Sequence, residues 1–273
     1  MRAWKSGGLA EVWKYYTPPA RPSASEIEII RNELEKKRVA ESCKVLIMGV
    51  TAEYRLLCRK LGIGPTLVDF NEGNYDILSE EIGKRDERFV LSDWRDMRFV
   101  EEFDAVLGDN ALNMVGREDC EKLLAKVHCS LRKGGMFLPR LYTRTKEGRI
   151  SREEIVGLCE RLKGRPGRFF MYAIRDLLLA YYNFDEDFVY THDIWDGIEG
   201  IVKTRRHLGG LLEALARMGY DLPGHRLHVP EERKFEETAG KFFRIEGKEC
   251  GNEDYLKCER PLRVSIYVLR KQS

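Results

Sequence analysis

KVLIMGVTAEYRLLCRKLG, the stretch from Lys44 to Gly62, decides the fold. Its apolar run ends at Gly49 and continues without a break into a segment with helical periodicity. Nucleotide-binding turns of this strand–turn–helix type usually carry three glycines, yet Thr51 and Glu53 stand where the second and third are expected. The stretch therefore predicts a ligand-binding turn with altered chemistry, and the question is which ligand it can hold.

Short apolar runs and helical patterns alternate along the chain after this stretch. The predicted strands are KVLIMG, PTLVDF, RFVLSD, FDAVLGD, MFLPRLY and LRVSIYVLR, and segments with helical periodicity join most of them. Because these runs are apolar throughout, we expect helices to cover both faces of one sheet. The predicted fold class is a doubly wound, Rossmann-like α/β sheet, mostly parallel, with an antiparallel last strand and a helical aromatic insertion.

The same patterns divide the chain into four regions. They are an N-terminal arm and helix (1–39), the α/β core (40–146), a helical aromatic insertion (147–206), and a C-terminal helix with closing strands (207–273). Ser25 and Glu28 match the spacing of a capping box, so the first helix is expected to begin there. The insertion is predicted to lie over the carboxyl edge of the sheet as a lid, and a polar strand pair is predicted near 225–246.

Composition restricts the class of function. Lys and Arg number 47 against 45 Asp and Glu, a net charge of +2, which argues against a general binder of nucleic acid. The seven cysteines form no CxxC pair and no Cys/His ligand spacing, so no metal site is predicted. With no signal peptide and no apolar run that could span a membrane, the protein is expected to be cytoplasmic with reduced thiols. A single glutamine among 34% charged residues is typical of thermophilic proteins.

The turn after Met48 can present backbone N–H groups at the sheet edge where such folds bind ligands. Thr51 is a candidate N-cap, and Glu53 lies in the first helical turn, where its carboxylate would repel a pyrophosphate. Asp69 ends the second strand 20 residues after Gly49, a position at which an acid binds ribose hydroxyls. An adenosine held without phosphates suggests S-adenosylmethionine.

These motifs together resemble the class I S-adenosylmethionine-dependent methyltransferases. VLIMGVTAE, LVDFN, LSDWRDM and FDAVLGDNAL match the first four motifs of the family, and LRKGGMFL matches the turn before the fifth strand. The family's acid two residues before the first glycine is Ile47 here, and its second and third glycines are absent. The resemblance implies S-adenosylmethionine as the cofactor, with Asp93 and Trp94 flanking the adenine. The implied cofactor-binding residues are Gly49, Val50, Thr51, Glu53, Asp69, Phe70, Asn71, Asp93, Trp94, Asp109 and Asn110.

The acceptor is expected to be a small molecule, methylated at nitrogen or oxygen. The fourth motif reads DNAL instead of the Asn/Asp-Pro-Pro-aromatic pattern of enzymes that methylate the amino groups of nucleic-acid bases. His192, beside Tyr190 and Asp193 in the predicted lid, is the candidate catalytic base. Transfer from a sulfonium can also proceed by positioning alone. No nucleic-acid or membrane partner is expected, and the candidate protein assembly is a homodimer.

Two other classes of protein remain open at this point. The absent glycines and Ile47 also fit a protein that binds an adenosyl ligand without transferring its methyl group, and that serves as a sensor or scaffold. The acidic cluster Asp185, Glu186 and Asp187 is an indication of an aminopropyltransferase, because such an enzyme needs acidic groups around a polyamine.

Overall fold

The structure is a computed structural model that describes residues 10, 12–37, 43–145, 150–162, 175–222, 224–252 and 262–272. Its strands are β1 (Val45–Met48), β2 (Thr66–Asp69), β3 (Arg88–Leu91), β4 (Phe103–Asp109), β5 (Leu131–Arg144), β6 (Val189–Tyr190), β7 (Arg226–Leu227), β8 (Phe243–Glu249) and β9 (Leu262–Lys271). Its helices are α1 (Ala24–Lys37), α2 (Ala52–Lys60), α3 (Glu72–Ile82), α4 (Arg117–Ser130), α5 (Arg152–Leu162), α6 (Thr191–Thr204), α7 (Gly209–Arg217) and α8 (Glu232–Ala239). Residues 175–180 are also helical.

One seven-stranded sheet, in the order β3-β2-β1-β4-β5-β9-β8, is the framework of the fold. β1 pairs in parallel with β2 and β4, and parallel pairing extends to β3 on one side and to β5 on the other. β9 runs antiparallel to both β5 and β8, and β6 pairs with β7 in a separate small sheet. The predicted fold class, a mostly parallel sheet with an antiparallel last strand, is confirmed.

Both faces of the large sheet are buried. In β1, Val45 and Ile47 pack into the core on one face, whereas Leu46 and Met48 pack into the core on the other. Successive side chains of a strand point to opposite faces, so a strand covered on both sides must be apolar at every position. The continuous apolar runs of the sequence follow directly from this arrangement.

The first helix begins at a different capping box from the predicted one. Ser23 Oγ accepts the backbone N–H of Glu26, and Glu26 Oε2 accepts the backbone N–H of Ser23 at 2.8 Å. The Ser-x-x-Glu spacing occurs twice in SASEIE, so the prediction of Ser25 with Glu28 is wrong by two residues. The pair that caps the helix is the one whose glutamate is buried.

The polar strand pair predicted near 225–246 is also wrong. Within that segment β7 has only two residues, and 232–239 forms α8. Phe235 and Ala239 are buried four residues apart, which places both on one helical face. The surrounding Glu and Lys residues make the segment polar, so the helical spacing of Phe235 and Ala239 is not evident from the sequence.

The predicted aromatic insertion is described only in part. Residues 163–174, which include the basic cluster KGRPGR, lie outside the described residues. Beyond that gap, Leu177 and Leu178 are buried in the same core as Val45. The insertion therefore contributes apolar packing to one face of the sheet.

The described residues also bear on thiols, metals and membranes. The cysteines among them are free thiols. In the same part of the chain, no group of three or more His, Cys, Asp or Glu is arranged to hold a metal ion. None of the helices there is both long enough and apolar enough to cross a membrane.

Candidate functional site

A cavity of about 160 Å³ lies at the carboxyl ends of β1, β2 and β4. In open parallel sheets this edge is where ligands bind. Its walls come from the loops after these strands, from N-terminal residues between 10 and 20, and from residues between 175 and 227. Segments that are far apart in sequence therefore meet at the edge that the sequence predicts for the ligand.

Gly49 holds the turn between β1 and α2 in a left-handed conformation, with φ of +89°. Its N–H donates to Val68 O at 2.8 Å, so this group is used within the protein and is not offered to a ligand. A Cβ on Gly49 would lie 3.7 Å from Trp94 Cζ2 and 3.9 Å from Asp69 Oδ2. Residues of the first three predicted motifs therefore meet at this turn. The glycine leaves open the space that a side chain would fill between them.

Asp69 is a buried carboxylate at the end of β2. Its Oδ1 accepts the backbone N–H of Asn71 at 2.8 Å, and Asn71 in turn caps α3. Burial raises the pKa of the Asp69 carboxyl to about 6, and hydrogen bonds from Asn71, Asn74 and Phe70 oppose that rise. The hydrogen bonds to this carboxylate come from uncharged N–H groups. Its negative charge can therefore interact with a ligand.

Trp94 and Asp93 follow β3 but point to different surroundings. Trp94 lines the cavity, and its Nε1 donates to Val68 O at 2.6 Å, the same carbonyl that Gly49 uses. Asp93 accepts three hydrogen bonds from Arg95, which lowers the pKa of its carboxyl. Asp93 is not among the residues that line the cavity, whereas the indole beside it is.

Asp109, at the end of β4, belongs to a buried ion-pair cluster. Its Oδ1 accepts from Arg140 Nη1 at 3.0 Å, and its Oδ2 accepts from Thr51 Oγ1 at 3.5 Å. The fully buried Arg140 also donates to Glu26 Oε1 at 2.8 Å and to Pro19 O at 2.5 Å. Burial raises the pKa of Asp109 to about 7, although the neighbouring guanidinium opposes this. Thr51 stands at the N-cap position of α2, but its hydroxyl binds Asp109 instead of the helix.

The N-terminal segment closes over the cavity and is fixed by polar contacts. Tyr142 donates its hydroxyl to Pro19 O at 2.7 Å, and Tyr16 donates its hydroxyl to Met218 O at 2.9 Å. Arg21 Nε donates to Glu53 Oε1 at 2.5 Å. Glu53 is therefore engaged by the segment and does not line the cavity.

Two side-chain oxygens at the cavity have no hydrogen-bond partner among the described residues. They are the buried Oδ1 atoms of Asn74 and Asn110, and both residues line the cavity. Asn110 has a left-handed backbone, with φ of 53°, and its N–H donates to Arg140 O. Because a buried acceptor without a partner is costly, these atoms mark places where a ligand N–H group would be stabilised.

The predicted site residues divide into two groups. Those that line the cavity are Gly49, Val50, Thr51, Asp69, Phe70, Trp94, Asp109 and Asn110. Those that do not are Glu53, Asn71, Asp93 and His192. The His192 side chain is 42% exposed in the first turn of α6, with Nε2 3.6 Å from an Asp196 oxygen. Its role as a base stays a prediction.

Several residues of the site were not found from the sequence. Arg140 and Tyr142 come from β5, and Arg175 and His225 come from the C-terminal half of the chain. An arginine inside the apolar run MFLPRLY is the one local signal, because a buried guanidinium requires partners. His225 has no comparable signal, since its neighbours in sequence do not predict the cavity.

Comparison with known proteins gives matches of structure. No protein-family model matches the sequence, and no curated protein sequence matches it. A SAM-dependent methyltransferase from Methanosarcina mazei is 12% identical with a TM-score of 0.54, over 87% of this chain and 96% of that one. A 1,6-didemethyltoxoflavin-N1-methyltransferase from Burkholderia thailandensis, with bound 1,6-didemethyltoxoflavin and S-adenosylhomocysteine, is 14% identical with a TM-score of 0.51, over 92% and 80%. A putative Zn-dependent alcohol dehydrogenase from Rhodobacter sphaeroides is 15% identical with a TM-score of 0.56, over 97% and 98%.

Identities this low show a shared fold and no more. Proteins with different activities can share one fold, as these three names illustrate. The structural matches are mostly class I methyltransferases. The strand order around β1 and the antiparallel β9 agree with that architecture. The chain therefore has the Rossmann-like fold of the class I S-adenosylmethionine-dependent methyltransferases.

Proposed function

We propose that the protein is an S-adenosylmethionine-dependent methyltransferase that acts on a small molecule, at nitrogen or oxygen. The observation that carries this proposal is the meeting of Gly49, Asp69 and Trp94 beside one cavity at the carboxyl edge of the sheet. These residues come from three successive motifs that the sequence places in the order of this family. Their convergence supports a common ligand.

The residues of this edge fit S-adenosylmethionine. The Asp69 carboxylate can accept the hydroxyls of the ribose, because its named partners carry no full charge. Asn74 and Asn110 offer acceptor oxygens to the N–H groups of the adenine or of the methionine ammonium. The rings of Phe70 and Trp94 supply planar apolar surface for the base.

The charge of the edge also fits this cofactor better than a dinucleotide. Asp69 lines the cavity and is held by uncharged N–H groups, so its carboxylate would repel a pyrophosphate but attract a cation. S-adenosylmethionine, when bound, supplies a methyl group on a positively charged sulfur. Trp13 and Tyr16 line the cavity from the N-terminal segment, so this cover excludes water and holds an acceptor in place.

Two structurally similar proteins support methyl transfer at the level of the fold. The Methanosarcina protein is named a SAM-dependent methyltransferase, and the Burkholderia protein has both 1,6-didemethyltoxoflavin and S-adenosylhomocysteine bound. We extend a small-molecule acceptor to this chain as part of the proposal. We also propose the division of the chain into four regions, in which residues 1–39 cover the cavity and residues 147–206 form a lid over the sheet edge.

Isothermal titration with S-adenosylmethionine and with S-adenosylhomocysteine tests the cofactor assignment. We expect low-micromolar binding, about −8 kcal/mol, by the native protein. Asp69→Ala should lose that binding, and the matched control Asp76→Ala should keep it, because Asp76 lies on α3 in an exposed pair with Lys84. No binding by a folded native protein would remove the methyltransferase proposal.

The two alternative classes are separated by further observations. A sensor or scaffold would bind the cofactor but transfer its methyl group to no acceptor. The acidic cluster that suggested an aminopropyltransferase does not line the cavity. Instead, Asp187 accepts from Tyr182 and contacts His228 and Arg144. A polyamine assay with decarboxylated S-adenosylmethionine tests this alternative directly.

A further inference from the structure

Two aromatic rings at the cavity, those of Phe70 and Trp94, can stack on a base, but stacking alone does not tell one purine from another. Recognition of adenine also needs an acceptor, because the amino group of this base only donates hydrogen bonds. The family resemblance places Asp93 beside the adenine, and its carboxylate is the acceptor that the sequence offers there.

The Asp93 carboxylate is engaged at both oxygens by Arg95. Its Oδ1 accepts from the backbone N–H and from Nε of Arg95, both at 2.9 Å, and its Oδ2 accepts from Arg95 Nη2 at 2.6 Å. The same guanidinium forms an ion pair with Asp119 on α4. Asp93 also does not line the cavity, so its carboxylate is not available to a base at this edge.

Asn74 lies in the first turn of α3 and lines the cavity. Its side chain donates a hydrogen bond to the Asp69 carboxylate, one of the contacts that oppose the rise in the pKa of that acid. An ionised carboxylate only accepts hydrogen bonds, so the amide nitrogen of Asn74 is the end that faces Asp69. This contact fixes the orientation of the amide, with Oδ1 on the side away from the acid.

The Oδ1 atom of Asn74 is a buried acceptor without a partner among the described residues. The residue as a whole is 8% exposed. An acceptor that is buried without a donor destabilises the fold, and a ligand that donates to it recovers this cost. The wall at Asn74 is therefore suited to a donor group of the ligand.

The order of the strands indicates which donor this is. Asp69 and Phe70 follow from β2, and Trp94 follows β3, which pairs with β2. Asn110 Oδ1 also lacks a partner among the described residues, but it follows β4, and β1 separates β4 from β2. The ribose acid and the two stacking rings thus lie on the side of Asn74, where the base is expected.

A ribose hydroxyl is the competing donor for Asn74. The two oxygens of the Asp69 carboxylate offer about four acceptor positions. Oδ1 accepts from the backbone N–H of Asn71, and Oδ2 lies 3.9 Å from the position of a Cβ on Gly49, at the turn between β1 and α2. The acid can therefore accept from both hydroxyls, which leaves Asn74 to the amino group of the base.

We propose, as a refinement that rests on the function proposed above, that Asn74 determines the specificity of this site for adenine. Its Oδ1 accepts a hydrogen bond from the amino group of the base. A purine with a carbonyl oxygen at the same ring position would place two acceptors against each other, which is unfavourable. The protein should therefore prefer a 6-aminopurine cofactor to its 6-oxo counterpart, and α3 carries this preference in place of the loop after β3.

Isothermal titration with three ligands measures this preference without turnover. They are S-adenosylhomocysteine, its analogue with hydrogen in place of the amino group, and its analogue with a carbonyl oxygen there. We expect the native protein to bind the hydrogen analogue about tenfold more weakly than S-adenosylhomocysteine, and the carbonyl analogue about 100-fold more weakly.

Three variants show which residue carries the preference. Asn74→Leu keeps the shape of the side chain but removes the acceptor, so it should bind S-adenosylhomocysteine and the hydrogen analogue with equal affinity. Asp93→Ala should keep the tenfold preference. Asn32→Leu, at an exposed position of α1, is the matched control and should bind all three ligands as the native protein does.

The ratio of two affinities separates recognition of the base from damage to the site. Asn74→Leu also removes a donor to Asp69, and that loss would weaken the binding of both ligands by the same factor. Only the loss of an acceptor for the amino group changes the ratio. Asn74→Ala removes the same oxygen with less bulk, and it takes the place of the leucine variant if that variant does not fold.

Any other pattern overturns the assignment. A preference that persists in Asn74→Leu and disappears in Asp93→Ala would return the base to Asp93. If Asn74→Leu instead lost a preference for ribose over 2′-deoxyribose, with the amino preference intact, Asn74 would bind a hydroxyl. No preference in the native protein would show that stacking alone holds the base. Failure of the native protein to bind S-adenosylhomocysteine would remove the proposed function itself.

Discussion

The ends of β2 and β4 each present one buried aspartate to the same cavity, yet the two carboxylates have different surroundings. Asp69, after β2, is held by amide N–H groups. Asp109, after β4, is paired with the buried Arg140, which also binds Glu26 and Pro19 O. Burial raises the pKa of both groups, to about 6 and about 7. One acid is available to a ligand, and the other helps to hold the cover of the cavity.

Because their surroundings differ, we expect Asp69 to affect ligand binding and Asp109 to affect the stability of the fold. Burying an acid without a cationic partner lowers the stability of the fold. A ligand that donates hydrogen bonds to this acid recovers part of that cost when it binds. Removing one member of a buried ion-pair cluster leaves the other charges unpaired, which lowers the stability of the fold. Substitutions at the two strand ends should therefore affect different measured quantities.

The largest effect is expected at the β4 cluster. Arg140→Leu should lower the free energy of unfolding by about 3–5 kcal/mol, because two buried carboxylates lose their cation. Denaturation in urea measures this loss. Arg132→Leu is the matched control, since its pair with Asp104 is partly exposed and should contribute less than about 1 kcal/mol. Equal losses in the two variants would contradict the role of the cluster.

The next effect is expected at the end of β2 and concerns binding. Asp69→Asn should weaken S-adenosylmethionine binding by about 100-fold, which is about 3 kcal/mol for hydrogen bonds to a charged group. Its fold should be as stable as the native one or more so at neutral pH. The folded carboxyl has a pKa of about 6 against a usual value of 3.8, so its ionisation above pH 6 costs up to about 3 kcal/mol of stability.

Urea denaturation at two pH values checks the second half of that prediction. The raised pKa stabilises the folded state while the carboxyl is protonated, and this advantage is lost as pH rises through about 6. The stability difference between Asp69→Asn and the native protein should therefore shrink toward pH 4. A variant that is less stable at neutral pH would show that Asp69 holds the fold as Asp109 does.

A smaller effect is expected from the turn before α2. Gly49→Ala should lower stability by about 1–2 kcal/mol, because a side chain is strained at positive φ. Gly83→Ala is matched to it, with φ of +78° and nothing within 4 Å of an added Cβ. The stability losses should be similar, whereas only Gly49→Ala should weaken cofactor binding. Unchanged binding in both variants would place the ligand elsewhere.

The smallest effect is the pH dependence of binding in the native protein. Affinity for S-adenosylmethionine should be constant above pH 7 and fall about tenfold for each pH unit below about 6, as Asp69 gains a proton. Titration calorimetry across this range measures the slope. Asp69→Asn should show no such slope, and a slope that persists in it would assign the titration to another group.

Features encoded in neighbouring residues could be predicted from the sequence. The strand and turn around Gly49 depend on an apolar run followed at once by helical periodicity, and the acid at the end of β2 depends on the same local order. The α8 helix was missed because only Phe235 and Ala239 mark its buried face within a charged segment. Local patterns thus suffice where the buried face is clear.

The cover and the far wall could not be predicted in the same way. Arg140 meets Glu26 across 114 positions of sequence, and no local pattern encodes that contact. For His192 a local signal did exist: Ile194, Ile198 and Ile201 are buried on one face of α6, and His192 pairs with Asp196 away from it. The aromatic neighbours of His192 suggested a lid, but the helical period places its side chain at the solvent.

The cluster at Arg140 also sets an order of events during synthesis. Glu26 and Pro19 precede Arg140 by 114 and 121 positions, so both are made long before the guanidinium that fixes them. At about 5–20 residues per second, the N-terminal segment waits for about ten seconds for its anchor. A nascent chain that ends before β5 therefore carries the edge of β1, β2 and β4 without its cover. Ribosome-bound chains of that length should expose this edge to solvent, and elongation through β5 should close it.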